Sequence, residues 1–144
     1  MAFFGTHTPR LDDKGRLFLP AKFRDQLKEG LVLTKGQEHC VYVWSLEDFA
    51  ALTRQAQKAS FTKRANRDFQ RMLFSGAAEE TPDKQGRITI PPVLRTWASL
   101  ERDCVAIGAM DRVEIWDAGA WERYAAATEE SYAQMSEEVM PGIE

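Results

Sequence analysis

Apolar positions along the chain fall into short runs with two different periods. Residues 16–19 and 87–90 alternate, placing Leu17 and Leu19, and then Ile88 and Ile90, on one side. A period of two predicts half-buried strands. Each run stops at a proline, Pro20 or Pro91, which ends the strand and suits the first turn of a short helix. That helix carries Phe23 and Leu27 in the first half, and Leu94, Trp97 and Ala98 in the second. Two further strands are predicted at about 31–35 and 40–44, and again at about 104–107 and 112–116. Ser45 and Asp117 are good N-caps and open a closing helix in each half.

The same order of elements occurs twice because the chain is a duplicated unit. A shift of 71 residues lays Phe3 on Phe74, Gly5 on Gly76, Asp12 on Asp83 and Gly15 on Gly86. It also lays Arg16 on Arg87, Pro20 on Pro91 and Arg24 on Arg95, seven identities over positions 3–24. Further on the shift becomes 72, with Gly36 on Gly108, Val41 on Val113, Trp44 on Trp116 and Phe49 on Trp121. Two copies are too few for a solenoid and suit a pseudo-twofold domain in which each half completes the other. The units read as repeat 1 over 3–53, a basic linker helix over 54–73, repeat 2 over 74–127 and an acidic tail over 128–144, all in one domain.

Between the strands the chemistry concentrates in two turns. Asp12 to Gly15 and Asp83 to Gly86 have Asp first and Gly fourth, the signature of a type I turn. One copy reads as an ordinary hairpin turn. Turn geometry accounts for a repeated Asp and Gly, but not for the Arg that follows each, Arg16 and Arg87. Arg binds phosphate or the guanine edge through two parallel hydrogen bonds. Arg16 and Arg87, with Lys14 and Lys84, are therefore the candidate DNA-contacting residues. Asp12, Gly15, Asp83 and Gly86 support the turns, since a carboxylate facing phosphate would be repelled.

Charge narrows the picture. The formal net charge of -3 excludes a protein that coats nucleic acid by bulk charge. Local patches must do the binding. Residues 54–71 hold six basic side chains against Asp68, and residues 120–144 hold six acids against Arg123. The basic segment reads as a solvated face or a partner of the acidic tail. Cys40 and Cys104 lie apart in apolar stretches and read as buried free thiols, suited to a reducing cytoplasm. The opening residues do not read as a signal peptide, and no apolar run is long enough to span a membrane. With only His7 and His39 and no nucleotide-binding loop or zinc-ligand spacing, no catalytic residue, metal site or cofactor is assigned.

The segments LDDKGRLFLPAKFR (residues 11–24) and PDKQGRITIPPVLR (82–95), with Phe3-Phe4-Gly5 and Ile115-Trp116 followed by Trp121, resemble the MraZ family over about residues 3–125. That resemblance implies a mainly β fold with capping helices, a double-split swapped-hairpin β-barrel of two AbrB-like repeats. It implies ring-like homo-oligomers that bind direct repeats in double-stranded promoter DNA. It also implies repression of the protein's own promoter and of the division and cell-wall gene cluster, in a cytoplasmic, nucleoid-associated setting. The alternative of another class is a non-catalytic interaction scaffold or antitoxin-like partner protein.

Overall fold

A computed structural model describes residues 2–135. Eight strands and five helices are described: β1 (Thr6–His7), β2 (Arg16–Phe18), α1 (Ala21–Leu27), β3 (Leu31–Gly36), β4 (Cys40–Ser45), α2 (Leu46–Gln57) and α3 (Arg64–Ser75) in the first part. Then come β5 (Ala78–Glu80), β6 (Arg87–Thr89), α4 (Pro92–Trp97), β7 (Cys104–Gly108), β8 (Val113–Asp117) and α5 (Ala118–Ala133). Both repeats thus have the order expected from the hydrophobic pattern. Pro20 and Pro91 cap α1 and α4 rather than lying inside them, and Pro92 occupies the first turn.

Strand pairing crosses between the halves. One sheet has the order β1-β7-β8-β4-β3-β5, and β2 pairs only with β6 in a separate ladder. β1 of the first half is bonded to β7 of the second, and β5 of the second to β3 of the first. The central pair, β4 with β8, joins equivalent strands, with Val41 opposite Ile115 and Val43 opposite Val113. This is a mixed β and α fold. Its sheet is open, because the outer strands β1 and β5 each have one neighbour.

Two apolar layers hold the sheet. On one face Leu17, Leu19, Phe23, Leu27, Ile88, Ile90 and Leu94 pack with Leu33, Val41, Val43, Val113 and Ile115. The β2–β6 ladder and helices α1 and α4 therefore cover that face. Leu17 sits opposite Ile88 in the ladder, and both are essentially inaccessible to water. Burying a side chain of this size contributes about 1.5–3 kcal/mol. On the other face Tyr42, Trp44, Leu73 and Trp116 pack with Phe49, Leu52, Phe74 and Trp121 from the helices. Ser45 and Asp117 cap α2 and α5 as expected, their side chains accepting from the backbone amides of Asp48 and Ala120.

The basic segment read as one helix over 54–73 is divided instead between the end of α2, a turn and α3. Side chains hold the break. Asn66 donates to the Ser60 carbonyl at 2.8 Å, and Arg67 donates to those of Phe61 and Thr62 at 3.0 and 2.9 Å. These carbonyls are thereby satisfied outside any helical ladder. Of the acidic tail read over 128–144, residues 128–133 continue α5, and among the described residues Glu129 and Glu130 form no ion pair with the basic segment; residues 136–144 lie outside the described residues.

Polar groups in the second layer are paired through two tryptophans. Trp44 donates to Thr34 Oγ1 and Trp116 to Glu114 Oε1, each at 3.0 Å. Glu114, only 7% exposed, also accepts from Arg112 at 2.8 Å. Replacing Glu114 by Ala strands an indole N–H and a guanidinium. Glu114→Ala is expected to cost about 1–3 kcal/mol, read as a lower urea midpoint with an unchanged denaturant slope.

Candidate nucleic-acid interface

Each turn is closed by its aspartate acting on backbone and side chain together. Asp12 Oδ1 accepts from the amides of Lys14 and Arg16, both at 2.9 Å, and Oδ2 accepts from Arg16 Nε at 2.9 Å. Asp83 does the same with Gln85, Arg87 and Arg87 Nε at 2.9, 2.9 and 2.8 Å. The Gly15 amide donates to the Asp12 carbonyl at 3.1 Å, and Gly86 to Asp83 at 2.9 Å. The two turns are copies of one device. These amide donors hold both carboxyls below the ordinary aspartate range, the amides of Arg16 and Arg87 being the largest cause.

The glycines are required by the backbone, and each also leaves room for an arginine. Gly15 and Gly86 have φ of +78° and +82°, where an L side chain is strained. A Cβ at Gly15 would also run into the guanidinium of Arg95, and one at Gly86 would meet Arg24 Nε at 2.8 Å. Each turn therefore lies on an arginine from the short helix of the other half. Arg24 is held there by donating from Nε to the Leu19 carbonyl at 2.9 Å.

Arg16 and Arg87 are not at the tips of the turns. They are the first residues of β2 and β6, and their side chains are 30% and 24% exposed. The tips carry Lys14 and Lys84, both exposed, at the third position of the first turn and the second position of the other. Register then brings the arginines together. Arg16 pairs with Thr89 and Phe18 with Arg87, so these four side chains share the outer face of the ladder while Leu17 and Ile88 fill the inner one. The arginines are diagonal neighbours, roughly 7–8 Å apart in an antiparallel pair. Phe18, 51% exposed, lies between them with the Arg87 guanidinium 6.0 Å from its ring centroid.

Three members of this surface are absent from the sequence-based set. Phe18 is legible in retrospect as an outward position in an alternating strand. Arg24 and Arg95 were visible as a repeated identity, but only the fold puts each beneath the opposite turn. Lys63 and Arg71 of the basic segment lie elsewhere, on the α2–α3 side, and Arg67 is engaged with carbonyls. Cys40 and Cys104 are buried free thiols, and burial pushes the Cys104 thiol up to about 11. Among the described residues no group of His, Cys, Asp and Glu could hold a metal ion, and no helix is long and apolar enough to cross a membrane.

The fold and this surface define a two-repeat protein in which each repeat presents one aspartate-clipped arginine beside the other's. The family profile described as "MraZ protein, putative antitoxin-like" matches residues 2–72 and again 73–140. The chain belongs to the MraZ family. It is similar to proteins named "Transcriptional regulator MraZ": 58% identical to that of Frankia alni (strain DSM 45986 / CECT 9034 / ACN14a) over 141 residues, 98% of this chain and 99% of the relative. The Parafrankia sp. (strain EAN1pec) relative is 57% identical and that of Thermobifida fusca (strain YX) 54%, with the same coverage.

Two outcomes follow from the turn geometry. Gly15→Val should lose about 1–3 kcal/mol of stability from the strained φ and should displace Arg95, checked by thermal melting and by the loss of DNA retention. The depressed aspartates have the opposite sign from a buried acid. Their contribution is complete above the ordinary aspartate value of about 3.9 and disappears as pH falls through the lower folded value. The difference in melting temperature between the wild type and Asp12→Asn/Asp83→Asn should stay constant above about pH 5 and shrink toward pH 3.

Proposed function

We propose that this protein is a sequence-specific DNA-binding transcriptional regulator that reads DNA with the outer face of the β2–β6 ladder. The observation carrying this reading is the register, which sets two clipped arginines diagonally on one exposed ribbon. A two-stranded ribbon fits the major groove of B-DNA. Asp12 and Asp83 engage Nε of their arginines, fixing each side chain before DNA arrives and so reducing the ordering cost of binding. Lys14 and Lys84 stand at the tips for phosphate contact, and Arg24 and Arg95 hold the turns in place from below. Family relatives named transcriptional regulators support the regulatory role.

Three finer statements belong to the same reading. The exchanged pairing of β1, β2, β5 and β6 supports a swapped-hairpin barrel. Exposed Phe61, Phe69 and Met72 on α2 to α3 support self-association, and a ring would add the weak contacts of single ladders by avidity on direct repeats. Repression of the protein's own promoter and of the division and cell-wall gene cluster, at the nucleoid, follows from the family resemblance.

Footprinting of the purified protein on DNA upstream of its own gene tests the reading. Arg16→Ala should keep the melting temperature of the wild type and lose about 1–3 kcal/mol per base contact, multiplied over the engaged subunits. Arg87→Ala should weaken operator and scrambled DNA alike if that side chain meets phosphate. Unchanged operator affinity in Arg16→Ala removes the ladder from the interface. A wild type that protects no DNA at any salt concentration favours the protein-scaffold reading.

A further inference from the structure

The two long flanks of the β2–β6 ladder are not equivalent. Along β2 runs an open groove of about 580 Å³ walled by Leu11, Phe18 and Pro20 and edged by Arg10, Arg24 and Arg102. Under the repeat correspondence, Arg10 falls on Thr81, Phe18 on Thr89 and Arg24 on Arg95, and the strand register, with Leu31 opposite Ser45 and Cys104 opposite Asp117, lays Arg102 on Glu29. The flank along β6 therefore keeps one arginine where the flank along β2 has three.

Backbone pairing brings the chain segments that carry the two extra arginines together, and both side chains line the groove. Arg10 forms a bridge with Asp103, the Leu11 amide donates to the Arg102 carbonyl at 2.8 Å, and the Cys104 amide donates to the Pro9 carbonyl at 3.1 Å. Arg10 and Arg102 thus come from different halves and are joined by the same crossed pairing that builds the sheet. Arg10 Nε touches Asp103 at 3.1 Å, with both side chains 68% exposed. An exposed pair of this kind is held weakly and yields readily to a phosphate. Arg102 is exposed and makes no ion pair among the described residues. Asp12, the acid that lines the groove, is already engaged by Arg16.

From this asymmetry we infer that the groove along β2 is a phosphate-binding flank of the DNA interface, in which Arg10 and Arg102 hold the backbone of one strand. The flank along β6 lacks it, so the pseudo-twofold domain lies on DNA in a single polarity. This rests on the DNA reading of the ladder, and Phe18 makes the groove continuous with that face. Arg10 and Arg102 contact phosphate and carry no base preference. What they add is salt-dependent affinity and direction.

The test uses the full chain with DNA from upstream of its own gene and a scrambled duplex, titrated at several salt concentrations. Arg10→Thr/Arg102→Ala should reduce the slope of log affinity against log salt by about 0.9 for each phosphate released. Between 50 and 200 mM salt the wild type should then lose about 12-fold more affinity than the double variant, on both duplexes. Ethylation interference should show contacts on one strand flanking the wild-type site that vanish in the variant. Thr81→Arg, on the other flank, should restore part of the slope. A folded double variant with the wild-type slope, or interference symmetric about the ladder, overturns the inference while leaving the ladder's role intact. A wild type that binds neither duplex overturns both.

Discussion

The crossed pairing of β2 with β6 is the constraint on which the rest of the molecule depends. Each strand is only three residues long, too short to stand alone, and each finds its hydrogen-bonding partner in the other repeat. Leu17 against Ile88 puts the inner side of this ladder into the shared core. Neither half can form that layer by itself. The same pairing that buries Leu17 and Ile88 necessarily turns Arg16, Phe18, Arg87 and Thr89 outward. Core and outer face are two sides of one register, and a slip of one residue would exchange them.

The turns convert that register into a fixed display. In each, one carboxylate satisfies two backbone amides and an arginine Nε, and a glycine at positive φ closes the loop. The helix arginine of the opposite repeat fills the space beside that glycine. Repeat 1 thus supports the turn of repeat 2, and the reverse. The exchange seen in the strands extends to the side chains that pack against the turns.

Duplication supplies a symmetric frame, and divergence supplies direction. Buried positions keep their character between the halves, as with Val41 and Val113 or Trp44 and Trp116. Exposed positions beside the ladder do not. Arg10 and Arg102 on one flank correspond to Thr81 and Glu29 on the other. Packing restrains the interior, because a lost methylene there leaves a cavity. The surface is free to differ, and it is there that a near-symmetric protein acquires a front and a back.

The amino-acid sequence by itself determined the local devices. Alternation at 16–19 and 87–90, prolines after them, caps at Ser45 and Asp117 and the Asp-to-Gly turns are all properties of near neighbours, set by dihedral preference and short hydrogen bonds. The repeat identities likewise marked Asp12, Gly15, Arg16 and their counterparts. Partners distant in sequence were decided by tertiary structure. Alternation says which side of a strand is buried, but not that Leu17 meets Ile88 rather than a residue of its own half. A repeated arginine gives no hint that Arg95 lies beside Gly15. The break between α2 and α3 is not legible in the local pattern because its helix-ending groups are side chains reaching back five and six residues. Propensity reads what a residue prefers. Only the packed chain fixes which of the equivalent partners it takes, because the shared core is assembled from the apolar strands of both repeats at once.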